Sequence, residues 1–148
     1  MAVGPALTAL GAVVEAADYA SAAEALAAVD ASESEVALRL SAIGERVAPT
    51  RRFVTSVLRD HEAQRAARER LRRRLGLPRA GAPGPEVSDP LDLRALRSAQ
   101  ERLVHAHAEG LPALGDRTAV ETMARHLVEL SRHLTVIDLW IEAEEARG

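Results

Sequence analysis

The sequence predicts an all-α fold: a single domain of four long helices in a bundle, with a short helix in front of them. Apolar residues recur at steps of three and four along four separate segments, which is typical of helices that bury one face. No segment shows the apolar and polar alternation of a half-buried strand. The chain of 148 residues also has only one Trp, one Tyr and one Phe, fewer aromatic residues than a sheet protein is expected to use.

The amino-terminal segment is predicted to form a separate helical arm. Pro5 suits the first position of a helix, and apolar residues follow it at helical spacing: Leu7, Leu10, Val14 and Ala17. The apolar phase changes near residue 20, where Ser21 and Glu24 have the spacing of a capping box. We therefore expect the arm over residues 1–20 and the bundle over residues 21–148.

The four bundle helices are expected near residues 22–47, 50–76, 90–113 and 118–146. Pro49 and Thr50 separate the first two, and Gly76 with Pro78 ends the second. An alternative for the first helix is a break near residue 31, because Ser32 and Glu35 form another capping box.

The second pair of helices has its own boundary signals. The Asp89 and Pro90 pair is predicted to begin the third helix, and Thr118 with Glu121 is predicted to begin the fourth. Pro112 predicts a kink or an early stop of the third helix. The segment before Asp89 is rich in Gly and Pro, so the chain is expected to form two helical hairpins joined by a connector of about a dozen residues.

Charge is segregated along the chain, although the net charge is only −3. Residues 51–79 contain ten arginines against three acids, whereas acids outnumber arginines on both sides of this block. The favoured interpretation is that the second helix packs beside acidic neighbours. The alternative is a basic surface for phosphate or an acidic partner. Nucleic acid is not the expected partner, because the chain lacks the aromatic residues on which bases stack.

The composition excludes some chemistry and gives weak information on location. Without cysteine, the chain cannot form disulfides, thiolate metal sites or a cysteine nucleophile. The amino-terminal segment has no preceding basic residues and is interrupted by Glu15 and Asp18, which is typical of neither a signal peptide nor a membrane span. We expect a cytoplasmic protein without a membrane partner, although a removed leader would leave no trace.

Several short motifs are shared with a known group of proteins. They are Glu35-Val36-Ala37-Leu38, Asp60-His61, Gly76-Leu77-Pro78 and His133-Leu134. With these motifs the chain resembles the ferritin-like four-helix bundles of bacteria, in particular a subfamily for which no common activity is established. The resemblance covers roughly residues 21–145 and implies the fold. The chain has no Glu-x-x-His step, which di-iron members carry on two helices, so a standard di-iron ferroxidase is not expected.

Candidate metal ligands lie near the middle of the predicted bundle. Glu33, Glu35 and His61 are each about a dozen residues from the first hairpin turn, which places them at similar height. His107 and His133 are the candidates from the second hairpin. Histidine and carboxylate ligands suit one divalent transition metal, zinc or iron.

The alternative for this cluster needs no metal. In it, His61 is a core histidine that forms a hydrogen bond with Glu33 or Gln100. The two hypotheses involve the same residues and differ only in whether a metal ion is bound.

The sequence favours an interaction or ligand-binding domain over an enzyme, because no segment combines a nucleophile, a base and an oxyanion stabiliser. The apolar face of the short first helix must pack on the bundle or on another subunit, so a homodimer or another protein partner is an expectation. The alternative functions are a mononuclear His/Glu metal site and binding of nucleic acid or an acidic partner by the Arg-rich second helix.

Overall fold

The computed structural model describes residues 21–46, 51–81 and 92–148, which fold into four α-helices. Helix α1 spans Ala22–Arg46, α2 spans Arg51–Leu75, α3 spans Leu93–Gly110 and α4 spans Arg117–Arg147, with a 3₁₀ turn at Leu111–Ala113. No strand occurs within these ranges. The predicted all-α fold is confirmed, and Pro112 indeed marks the end of α3. The predicted arm, the Pro49 turn and most of the connector lie outside the described residues.

The start of α1 and the end of α2 follow the predicted signals. Ser21 Oγ accepts a hydrogen bond from the Glu24 N–H at 3.2 Å, as an N-cap does. At the end of α2, Gly76 has a positive φ of 68°. The Leu77 N–H then donates to the Arg72 carbonyl at 2.8 Å, which is the 6→1 hydrogen bond of a Schellman motif.

Helices α3 and α4 begin close to the predicted positions, but the cap predicted at Thr118 was wrong, and the Asp89 and Pro90 pair lies outside the described residues. Helix α3 is capped by Asp92, whose carboxylate accepts a hydrogen bond from the Ala95 N–H, so it starts after the predicted position. Helix α4 is capped by Asp116 in the same way, and Thr118 lies inside its first turn. A carboxylate at the N-cap satisfies a free N–H and also interacts favourably with the positive end of the helix dipole.

The alternative break in α1 near residue 31 was also wrong. Helix α1 is continuous through this position, and the nearby Ser34 hydroxyl donates back to the Asp30 carbonyl instead of capping a new helix. The packing of α1 explains the continuity, since Val29, Glu33 and Val36 are all buried on one face across the proposed break.

The helices form a ring in which α1 packs on α2 and α3, and α4 packs on the same two helices. Contacts between side chains near the helix ends show that each neighbouring pair is antiparallel: Asp30 with Arg72, Arg94 with Glu145, Arg74 with Asp116, and Ala25 with Gly110. Helices α2 and α3 are therefore parallel. The end of α2 and the start of α3 therefore lie at opposite ends of the bundle.

The core lies along the centre of this ring. It contains aliphatic side chains from all four helices, among them Leu26, Val36, Leu40, Val57, Leu96, Leu103, Leu130 and Ile137. None of the described helices is both long and apolar enough to span a membrane.

Candidate functional site in the polar interior and the α2–α4 cleft

The inward face of α2 changes from apolar to polar along the helix. After Val54 and Val57, the next inward positions are His61, Gln64 and Arg68, and each of these three side chains is at most 2% exposed. Sequence reasoning placed His61 on this face but missed Gln64 and Arg68. The signal was present, because both residues continue the same steps of three and four.

Arg68 is the centre of a buried ion-pair network between α1 and α2. Its Nη2 lies 2.7 Å from Glu33 Oε1, and its Nε lies 2.7 Å from Asp30 Oδ1. Arg72 binds the other oxygen of Asp30. Burial raises the pKa of Glu33, while the hydrogen bond and charge of Arg68 act against that shift. Two arginines of the basic block therefore lie beside acidic residues of α1.

The hydrogen bonds predicted for His61 are absent. Glu33 is bound by Arg68, and the Gln100 amide donates to the Leu130 carbonyl at 2.9 Å. Neither ring nitrogen of His61 has a partner among the described residues, although the side chain is only 1% exposed. Buried polar atoms normally have a partner, so this side chain needs an explanation.

The interior histidines form two pairs instead of one cluster. The ring centroids of His61 and His133 are 6.0 Å apart, and those of His107 and His126 are 6.3 Å apart. His126 of α4 was not among the predicted ligands, but it is buried. Of the predicted ligands, the structure thus brings together His61 and His133. Glu35 lies near the surface, 2.7 Å from the Arg102 guanidinium.

These histidines are held neutral near pH 7. Burial lowers the pKa of His61 to about 3 and the pKa values of His107 and His126 to about 4, with further lowering from the nearby Arg68. Burial also lowers the pKa of His133, although Asp60, 3.3 Å from its Nε2, acts in the opposite direction. The interior therefore offers neutral imidazole nitrogens, which can accept a hydrogen bond or bind a metal.

The ligand set of a di-iron centre does not fit this interior. Within the described ranges, no group of three or more His, Asp or Glu side chains is arranged to hold a metal ion. Glu33 forms an ion pair with Arg68, and Glu35 forms one with Arg102. Carboxylates that bridge two metals cannot come from these positions without breaking ion pairs.

A cleft of about 560 Å³ separates α2 from α4, the neighbouring helices that pack least closely. Gln64 and His126 form part of its wall, and each is at least nine-tenths buried. Gln64 Nε2 donates to Glu129 Oε2 at 2.7 Å, while Gln64 Oε1 and His126 Nδ1 have no partner in the described part of the chain. Arginines and threonines line the rest of one end: Arg70, Arg74, Arg125, Thr118 and Thr122.

This cleft was missed by sequence reasoning because it depends on which helices become neighbours. The residues that line it come from α2 and α4, which are separated by the whole of α3 in the chain.

Comparison of the chain with models of protein families, with curated proteins and with solved structures found no match.

Proposed function

We propose that this protein is a ferritin-like four-helix bundle that acts as a ligand-binding domain and not as an enzyme. Its ligand is a small polar molecule that binds in the cleft between α2 and α4. The cleft is the observation that carries this proposal.

Support for the ferritin-like part comes from the arrangement of the helices. Antiparallel neighbours combined with a parallel α2 and α3 require one connection that runs from one end of the bundle to the other. Ferritin-like bundles have one such long crossover, whereas simple up-and-down bundles have none. The short motifs around Glu35, His61 and His133 point the same way.

Support for ligand binding comes from the size and chemistry of the cleft. Its volume lies within the range of about 300–1,000 Å³ that is usual for small-molecule sites. A gap between two helices that served only packing would be expected to be small and apolar, since packed interiors contain few voids larger than a water molecule. Here polar and charged side chains share the wall with Ala63, Ala67 and Leu71. Leaving a buried polar group without a partner costs about 1–3 kcal/mol.

A cleft-filling variant tests this function. Ala67 lines the cleft, whereas Ala66 is exposed on the same helix outside it, so Ala67→Trp and its control Ala66→Trp differ mainly in what they block. Inorganic phosphate, acetate, glucose and choline are titrated separately and followed by amide chemical shifts of α2 and α4. We expect at least one compound to shift cleft residues in the wild type and the Ala66 variant but not in the Ala67 variant.

Two results would overturn ligand binding in the cleft. In one, none of the four compounds shifts a cleft residue at millimolar concentration. In the other, binding persists unchanged in the Ala67→Trp protein, which would place the ligand elsewhere on the molecule.

A second candidate function, a mononuclear metal site, is favoured by the His61 and His133 pair. Both His61 nitrogens and His133 Nδ1 are buried and lack hydrogen-bond partners within the described ranges. Two neutral imidazoles at this separation are suitable first ligands for zinc or another late divalent ion.

Metal analysis of protein purified without an affinity tag tests this candidate. We expect about one equivalent of metal, and added zinc should raise the melting temperature of the wild type and of a His105→Ala control but not of His61→Ala. His105 is an exposed histidine and therefore a matched control. Metal well below one equivalent, together with no thermal shift on adding zinc, iron or copper, would exclude the site.

A further inference from the structure

The two ends of the α2–α4 cleft differ in charge. Arg70, Arg74 and Arg125 line the end near the start of α4, whereas Asp60 and Glu129 line the other end. Both acids already have partners, because Glu129 accepts a hydrogen bond from Gln64 and Asp60 lies 3.3 Å from the His133 ring nitrogen. The two carboxylates at the acidic end therefore already interact with other side chains of the protein.

The arginines at the other end have weaker ion-pair partners or none among the described residues. Arg74 lies 3.4 Å from Asp116 in an exposed ion pair, which is a weak interaction in water. Arg70 and Arg125 have no ion pair with any residue of the described ranges, although acids are common on this protein. Two guanidinium groups, one from each helix, thus line the same end of the cleft without a carboxylate partner.

The pairs on either side place these two arginines at similar height in the cleft, because Gln64 binds Glu129 and Arg74 lies 3.4 Å from Asp116 on the antiparallel helix. Burial lowers the pKa of His126, and the charges of Arg68, Arg125 and Arg70 lower it further, whereas the charge of Glu129 acts in the opposite direction. Arg70 lines the cleft from α2, and Arg125 lines it from α4, where it directly precedes His126. The positive potential at this end therefore comes from both walls of the cleft.

We infer that the cleft binds its ligand through an oxyanion, a phosphate or carboxylate group held between Arg70 and Arg125. This inference rests on the proposed function and names the chemical class of its ligand. The guanidinium group presents several N–H donors in a fixed plane and binds such oxyanions through two parallel hydrogen bonds. The hydroxyl groups of Thr118 and Thr122 line the same end and can donate to remaining oxygens.

The rest of the ligand lies toward Gln64. Gln64 Oε1 is an acceptor without a partner among the described residues, so a hydroxyl or amino group of the ligand suits this wall. The cleft lies between a single pair of helices, and its volume suits a small molecule and not a polymer. The observations therefore favour a small hydroxylated or aminated anion over a nucleic acid.

Paired charge-removal variants test the oxyanion site. All four arginines of this test are exposed: Arg70→Gln with Arg125→Gln removes two positive charges from the cleft, and Arg59→Gln with Arg132→Gln removes two from the same helices outside it. Binding of inorganic phosphate and of acetate is measured by calorimetry and amide chemical shifts at constant ionic strength. We expect the cleft variant to bind at least about tenfold more weakly than the wild type, and the control to stay within about twofold.

The two anions distinguish the source of the oxyanion. Stronger binding of phosphate than of acetate at the cleft indicates a phosphorylated ligand, and the reverse indicates a carboxylate. Equal loss of affinity in the two double variants would overturn the site, because it would show attraction by net charge alone.

The same experiment separates this inference from the function on which it rests. If glucose or choline shifts cleft residues while phosphate and acetate do not, ligand binding in the cleft stands and the oxyanion inference is wrong. If none of the four compounds does so, both are wrong.

Discussion

The α1–α3 and α2–α4 interfaces occupy opposite sides of the same ring and differ in how closely their helices pack. The α1–α3 interface is the tightest of the bundle. The apolar residues that α1 and α3 contribute to the core are at most 5% exposed, among them Leu26, Val29, Val36, Leu40, Leu96, Ala99, Leu103 and Ala106. Ala25 and Gly110 meet there so closely that a Cβ added to Gly110 would lie 3.2 Å from the Ala25 Cβ. The α2–α4 interface has the fewest contacts and contains a cleft.

The difference shows how one bundle can combine stability with a site. Aliphatic and small residues let α1 and α3 approach closely, and their burial contributes to the driving force for folding. Histidine, glutamine and arginine on the inward faces of α2 and α4 cannot pack in this way without leaving polar groups unpaired. The stability of the first interface therefore allows the second to remain open and polar. Four substitutions or conditions test this view.

The largest effect is expected from Arg68→Met. This change removes the positive charge that Glu33 and Asp30 share and leaves Glu33, which is fully buried, without its main partner. Breaking a buried ion pair on one side typically costs about 3–5 kcal/mol in the free energy of unfolding. Urea denaturation of both proteins measures the difference.

Arg65→Met is the matched control for Arg68. Arg65 lies 3.4 Å from the same Glu33 oxygen but its side chain is 50% exposed, and half-exposed pairs contribute at most about 1 kcal/mol. Equal losses in the two variants would contradict a special role for the buried arginine.

A substitution in the tight interface should have the next largest effect. Leu103 is fully buried on α3, and Leu103→Ala leaves a cavity where the helices are held closely, so we expect a loss of about 2–5 kcal/mol. Chemical denaturation measures it. A loss below about 1 kcal/mol would show that the α1–α3 interface can collapse around the cavity and is less rigid than its packing indicates.

Acid should destabilise the polar interior. The pKa of His107 is about 4 in the folded protein because of burial, against an ordinary value of 6.5. Between these pH values the unfolded state binds a proton that the native state does not. The contribution of neutral His107 to the free energy of unfolding is therefore fully present above pH 6.5 and decreases as the pH falls toward 4. The slope for one such histidine is roughly 1.4 kcal/mol per pH unit. In His107→Gln the dependence measured between pH 6.5 and 5 should be shallower, and an unchanged slope would contradict a neutral, buried His107.

The smallest effect is expected from Thr122→Ala on the cleft wall. Thr122 is 9% exposed and lines the cleft, but it makes no hydrogen bond within the described part of the molecule, and alanine has the higher helix propensity. We expect the unfolding free energy to change by no more than about 0.5 kcal/mol. A loss comparable with that of Leu103→Ala would erase the contrast between the two interfaces.

Local rules predicted the elements better than the site. The Ser21 cap and the Gly76 exit depend on residues three or four positions apart, so they could be located in the sequence. The site predictions had the height of Glu33 wrong, because its ion pair with Arg68 places it about two helical turns along α2 from His61. His61 and His133 do meet, but Glu33 binds Arg68 and Glu35 lies near the surface, because a small rotation of a helix exchanges one neighbour for another.

The sequence by itself determined that this chain forms four amphipathic helices, because apolar periodicity and helix-ending residues act over a few positions of one segment. The tertiary structure alone decided that α2 faces α4 and that Arg68 turns inward to Asp30 and Glu33. It also decided that Arg70 and Arg125 share a cleft. These outcomes depend on how the helices are ordered and rotated around a common core, and the free energy that selects them comes from contacts between residues far apart in the chain.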